Sequence, residues 1–165
     1  MHRISNLTND QNIAYQAFLD KKNLLITGPA GTGKSHLVKK IVAYCERNFT
    51  NVGITAMTGA AACLINGKTI HSWGSLGIGD KKASDIANKI LKSFPKKLKW
   101  FKCKVLIIDE ISMMNANFFE LLEEVARLVR MNDKPFGGIQ VILLGDFYQL
   151  PPVGKTKEEC RFCFE

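Results

Sequence analysis

Eight consecutive residues, Gly28-Pro29-Ala30-Gly31-Thr32-Gly33-Lys34-Ser35, fit the pattern G-x-x-x-x-G-K-[ST]. Its chemistry is phosphate binding. Glycines let successive backbone N–H groups turn inward onto phosphate oxygens, and the start of the following helix adds its positive end. Lys34 has the reach for β- and γ-phosphates, and Ser35 offers a hydroxyl to Mg²⁺. Gly28, Pro29, Ala30, Gly31, Thr32, Gly33, Lys34 and Ser35 are therefore the candidate nucleotide cradle, with ATP and Mg²⁺ as the implied cofactors. Further along, Val105-Leu106-Ile107-Ile108 leads into Asp109-Glu110. An acid that emerges at the tip of a buried strand can hold Mg²⁺, which makes Asp109 a second metal ligand beside Ser35. Glu110 is placed to orient or deprotonate water, a role worth about 10²–10⁴ in rate. Gly145-Asp146-Phe147-Tyr148-Gln149-Leu150-Pro151-Pro152 offers Gln149 as an uncharged sensor of the γ-phosphate, although a plain polar loop reads the same way. Lys34, Asp109, Glu110 and Gln149 are the candidate catalytic set, and together they favour hydrolysis over transfer to a metabolite.

The elements that must position these residues follow from hydrophobic pattern. Asn23 to Thr27 reads as a buried strand, followed by the glycine turn and a helix to about Asn48. Val52 to Ala56 is a second strand, leading into a small-residue helix from Gly59 to Ile65. A Lys-rich amphipathic helix carries Ile86, Ile90, Leu91 and Phe94, with Pro95 expected to end it. Val105 to Asp109 is a third strand. Asn115 to Met131 is a helix whose apolar stripe is Phe118, Leu121, Leu122, Val125, Leu128 and Val129. Asp133 to Gly138 breaks it, and Ile139 to Leu144 is a fourth strand. Such alternation implies an α/β fold with a mostly parallel sheet and helices on both faces. Ligands in such sheets bind beyond the carboxyl ends of the strands.

With 46% hydrophobic and 23% charged residues in 165, the composition is that of one globular domain and excludes a disordered or fibrous chain. No apolar run approaches the ~20 residues of a membrane span, and the N-terminus lacks the apolar stretch of a signal peptide. An intracellular setting with reduced thiols is expected. Five cysteines form no framework. The single pair Cys160/Cys163 falls short of the four ligands of a structural metal, so none is expected. The net charge of +8 is concentrated: residues 81–104 hold nine lysines against one acid, and the remainder is balanced. Such a patch attracts phosphate backbones, or it is a solvated helix face.

Taken in order, these motifs resemble the Pif family (petite integration frequency) of superfamily 1 DNA helicases, related to RecD, over nearly the whole chain. Leu7-Thr8-Asn9-Asp10-Gln11 resembles its Q motif, which implies that Gln11 reads adenine. Ile54 to Ala62 and Thr69-Ile70-His71-Ser72 resemble its single-strand contact motifs, which implies backbone contacts from Thr58, Gly59, His71 and Ser72. Asp109-Glu110-Ile111-Ser112-Met113 resembles its Walker B form. The stretch from Glu120 to Gln140, ending D-K-P-F-G-G-I-Q, resembles its signature. Gly145 to Val153 is close to its motif III, with Tyr148 where phenylalanine is usual. Read without the family, Gln11 is a surface residue, and His71 and Trp73 are packing residues.

The resemblance implies a P-loop NTPase with a RecA-like three-layer α/β sandwich. Residues 1–22 would be an N-terminal helix with the Q motif, 23–154 the P-loop core, and 155–165 the start of a segment leading onward. It implies a motor domain of a 5′-to-3′ DNA helicase, with single-stranded DNA as partner, in a DNA-containing compartment such as nucleus, mitochondrion or viral replication site. Repair, recombination, replication and telomere maintenance all remain open. A complete motor would need a second RecA-like domain with arginine fingers. None of the five arginines here (Arg3, Arg47, Arg127, Arg130, Arg161) lies in such a motif. The competing readings are a small-molecule P-loop kinase and a nucleotide-dependent DNA-binding switch that unwinds nothing.

Overall fold

Val105, Leu106, Ile107 and Ile108 are buried to 1% exposure or less, because β4 (Val105–Asp109) lies in the middle of a five-stranded sheet. The computed structural model describes residues 6–147. Its other strands are β1 (Leu24–Thr27), β2 (Val52–Ala56), β3 (Lys68–Thr69) and β5 (Gln140–Gly145). All pairings are parallel, in the order β1-β5-β4-β2-β3. Register matters for the site: Thr27 lies opposite Gly145, and Ala56 opposite Asp109, so the strand tips end together.

Alternate residues of β4 and β5 feed two separate cores, as strands covered on both faces require. Val105, Ile107, Ile142 and Leu144 pack against α1 (Asn9–Leu19) and α2 (Lys34–Arg47), through Tyr15, Phe18, Leu37 and Ile41. Leu106, Ile108 and Val141 pack on the opposite face against α4 (Ile70–Gly74), α5 (Ala83–Leu91), α6 (Phe94–Lys102) and α7 (Ala116–Arg130). The expected three-layer α/β sandwich is what forms. α3 (Gly59–Leu64) packs its alanines on β2 in a small third cluster.

Two helical expectations are corrected. The Lys-rich helix stops at Leu91, and Pro95 opens a second helix instead of ending the first. In a helix's first turn a missing N–H costs nothing. α6 then carries Trp100, fully buried, to an edge contact with Trp73 at 4.9 Å between centroids. In α7 the buried face is Leu122, Val125, Ala126 and Val129, at i, i+3, i+4 and i+7, and Leu128 is exposed. Asn115 caps α7 by accepting the Phe118 N–H at 2.8 Å. Gly53 in β2 has no alternative: a Cβ there would lie 2.8 Å from the Trp73 ring.

The break after α7 is a fastened turn. Phe136 and Gly137 are left-handed (φ 51° and 59°). Arg130 Nε donates to the Gly137 carbonyl at 2.7 Å, and its Nη1 faces the carbonyls of Trp100, Phe101 (3.2 Å) and Cys103 (3.1 Å). Gln140 Nε2 donates to the carbonyls of Phe18 (2.9 Å) and Lys22 (2.8 Å), which ties the end of α1 to the start of β5.

Candidate nucleotide and nucleic-acid site

The phosphate loop leaves the tip of β1, with Gly28, Gly31 and Gly33 all at positive φ (153°, 82° and 86°). Gly33 is the N-cap of α2, which places Lys34 and Ser35 in the helix's first turn. Thr32 Oγ1 donates to the Pro29 carbonyl at 2.8 Å and closes the loop on itself. Lys34 Nζ lies across the loop and donates to the carbonyls of Gly28 and Pro29 (2.9 Å to the latter). Two strands away Asp109 ends β4. Burial pushes its carboxyl above the ordinary value; the Glu110 N–H, donated at 2.8 Å, and the nearby Lys34 partly oppose this, and the Glu110 charge adds to it.

Glu110 itself is left-handed (φ 59°, ψ 38°), an unusual conformation for a residue with a long side chain. Its backbone is fixed by that N–H bond and by the Met113 N–H, which donates to its carbonyl at 3.0 Å. Its Oε2 accepts the Thr58 hydroxyl at 2.6 Å. These groups line one cavity of ≈450 Å³: the loop on one wall, Asp109 and Glu110 on another, and Leu64 and Ile65 from α3 and its cap on a third.

The donor set fits a magnesium-bound triphosphate. The loop's donors are open to oxygen ligands: the Ala30 N–H donates to an Asp146 side-chain oxygen at 3.0 Å. Ser35 and Asp109 supply hard oxygen atoms on the same cavity. Asp146, 8% exposed, is a site residue the motif reading passed over. Its signal was legible, since it follows an apolar strand just as Asp109 does. Gln149, together with Tyr148 and Cys160/Cys163, lies outside the described residues.

Gln11 sits against the loop. Its Nε2 donates to the carbonyls of Gly33 (3.2 Å) and Thr32 (3.4 Å), and its Oε1 accepts the Thr8 N–H at 3.0 Å in a capping box.

Met57 and Thr58 link β2 to α3, which begins at Gly59. Thr58 is the N-cap and accepts the Ala61 N–H at 3.2 Å. His71 is stacked on Phe118 (4.4 Å, 21° between planes), and burial lowers its pKa. It lines a second depression of ≈420 Å³ with Met57 and Asn117. Ser72 is exposed beside it, and its N–H is donated to Thr69 Oγ1 at 3.3 Å. Trp73 is core. Eight of the nine lysines in 81–104 are exposed. Lys99 is half-buried and donates to the Trp73 carbonyl. Among the described residues no cluster of three or more His, Cys, Asp or Glu could hold a metal ion, and no helix is long and apolar enough to cross a membrane.

A family model described as PIF1-like helicase matches residues 6–165. The ATP-dependent DNA helicase PIF1 of Danio rerio is 48% identical over 160 residues, covering 96% of this chain and 24% of that protein. The Pif1 helicase from Candida albicans superposes at a TM-score of 0.88 with 41% identity, covering 98% of this chain and 36% of that one. A Bacteroides Pif1 helicase in complex with ADP-AlF3 and single-stranded DNA superposes at 0.76 with 33% identity, covering 95% and 35%. The chain therefore spans about a quarter of the length of the curated relative it matches.

Proposed function

This chain belongs to the PIF1-like helicase family, and we propose that it is the first RecA-like motor domain of an ATP-driven 5′-to-3′ DNA helicase, binding Mg·ATP in the ≈450 Å³ cavity and single-stranded DNA across the β2–α3 turn and α4. The observation that carries the reading is the meeting of two strand tips. The loop and Lys34 face Asp109 and Glu110 across one cavity, and Glu110 in turn touches Thr58, just beyond the neighbouring strand. Kinase and switch readings lose ground to the family.

Each residue has a job that its placement supports. Loop N–H groups and the α2 N-terminus hold the β- and γ-phosphates, with Lys34 turning from the loop carbonyls toward them. Ser35 and Asp109 would hold Mg²⁺, which would supply positive charge against the phosphates there. Glu110 Oε atoms accept a proton from the attacking water. Gln149 is the proposed sensor of the γ-phosphate. Adenine recognition by Gln11 requires its amide to leave the Thr32 and Gly33 carbonyls. Thr58, Gly59, His71 and Ser72 hold the DNA backbone, contacts that position the strand without reading sequence. A second RecA-like domain would complete the nucleotide site with arginines, worth about 10³–10⁵ in turnover, so this chain alone turns over slowly and unwinds nothing. Its place of action is a DNA-containing compartment.

The test is steady-state ATP turnover with and without single-stranded DNA, for this chain and for one extended through the next domain, each with a Lys34→Ala control. Strong DNA stimulation in the longer chain, absent from Lys34→Ala, supports the motor. DNA-insensitive turnover in both chains sinks it.

A further inference from the structure

Thr58 faces two ways. Its oxygen accepts the Ala61 N–H and so caps α3. Its proton goes to Glu110 Oε2 at 2.6 Å, a short charge-assisted bond. A threonine hydroxyl has one proton to give. If Thr58 also contacts a DNA phosphate, as the reading above holds, the phosphate and Glu110 compete for it.

We propose that the Thr58 hydroxyl is a DNA-operated tether on Glu110: it holds the carboxylate aside in the strand-free protein and redirects its proton to a phosphate oxygen when single-stranded DNA seats, freeing Glu110 to meet the attacking water. The inference rests on Thr58 facing the DNA strand. Thr58 is here a positioning residue, because it acts on the reaction through Glu110.

The surroundings are built for such an exchange. Ala56 and Asp109 are register partners, and the Met57 N–H donates to the Asp109 carbonyl at 3.1 Å. The two meeting residues thus stand just beyond a fixed pair of strand tips. The Ala61 N–H keeps the Thr58 oxygen in place whichever way its proton points. Glu110's backbone is clamped on both sides, at its N–H and at its carbonyl, which leaves side-chain torsions as its freedom. Proton redirection and carboxylate release therefore need no backbone movement. They couple DNA to the nucleotide cavity over a single hydrogen bond. The coupling is reciprocal: the tether weakens DNA binding by the factor by which DNA weakens the tether.

That reciprocity gives a test independent of turnover. The affinity of nucleotide-free protein for a labelled oligothymidine is measured by fluorescence anisotropy for Glu110→Gln and Glu110→Ala. Both variants lack the charge, so the field at the DNA is alike. The amide oxygen of the first still accepts the Thr58 proton, and the alanine does not. Glu110→Ala is expected to bind DNA about threefold more tightly than Glu110→Gln, a modest neutral hydrogen bond expressed as affinity. The difference should vanish in a Thr58→Val background and survive in Thr58→Ser. Equal affinities of the two Glu110 variants overturn the tether, without recourse to any Thr58 variant that fails to fold. So does a difference that persists in Thr58→Val. Lack of DNA binding by every protein, wild type included, would remove the DNA reading beneath the tether as well.

Discussion

Gly33→Ala tests the phosphate loop where its geometry is most demanding. Gly33 has φ 86° and ψ 18°, and a Cβ there would lie 2.4 Å from Gln11 Nε2. Two costs arise. An L-residue held left-handed costs about 1–2 kcal/mol. The collision can be relieved, because Nε2 is the end of a flexible side chain, but swinging it away breaks bonds of 3.2 and 3.4 Å to Gly33 and Thr32. Both are long and within reach of water, so together they contribute about 1 kcal/mol at most. Backbone strain therefore dominates, and the total is about 1–3 kcal/mol. The assay is urea unfolding of Gly33→Ala, Gln11→Ala and the double variant, with Mg·ATP titrated into each. Measured against Gln11→Ala, which has already lost those bonds, the double variant should lose only the backbone part, about 1–2 kcal/mol. Because Lys34 and Ser35 follow directly, nucleotide affinity should fall at least about tenfold in both Gly33 variants. Wild-type stability in Gly33→Ala, or a double variant as stable as Gln11→Ala, would refute the assignment of the cost to the backbone.

Glu110→Gln should retain nucleotide affinity and lower single-turnover hydrolysis by about 10²–10⁴; normal turnover would show that another group takes the proton. Arg130→Ala strips donors from the carbonyls of Gly137, Trp100, Phe101 and Cys103. A urea-midpoint loss equivalent to about 2–4 kcal/mol is expected, and a loss below about 1 kcal/mol would mean that water serves those carbonyls as well. Replacing Lys89, Lys92, Lys96 and Lys97 with glutamine should flatten the salt dependence of single-stranded DNA binding, by about 0.7 in log–log slope for each lysine that touches a phosphate; an unchanged slope makes the patch solvated surface. Burial holds His71 below its ordinary 6.5. The unfolded chain therefore takes up the proton first, so stability falls as pH drops below 6.5 and is flat with respect to this group above it. His71→Phe, which can keep the stack on Phe118, should remove that part of the acid-side loss in urea midpoints. The same slope in both proteins would exclude His71 as its source.

Strands and long helices were legible where burial and punctuation agreed. Val52 to Ala56 and Val105 to Asp109 are strands with the bounds their apolar runs suggest. α7 begins at its Asn115 cap and ends before a left-handed Met131. β3 and α4 escaped because two residues have no periodicity: Lys68 and Thr69 are a strand only by pairing with β2. Pro95 was ambiguous, since proline both ends and opens helices, and the burial of Trp100 decided between them. The phosphate loop and the Asp109–Glu110 pair were legible because each motif is local. The Glu110–Thr58 bond was not, because 52 residues separate the partners and only the parallel register of β2 and β4 brings them together.

The left-handed backbone at Glu110 sets two kinds of selection against each other. Glycine, or to a lesser degree asparagine, would relax that turn by about 1 kcal/mol. Either would remove the Glu110 carboxylate from the cavity. A library screened for heat tolerance alone should drift toward glycine at this position only as far as that relief exceeds the loss of the Thr58 bond, and, with Glu110 as the proposed base, should lose turnover as it does. A library screened for ATP turnover should hold glutamate at the same position and accept a slightly softer fold. The trade between endurance and activity, usually spread over many residues, is concentrated here in one peptide unit.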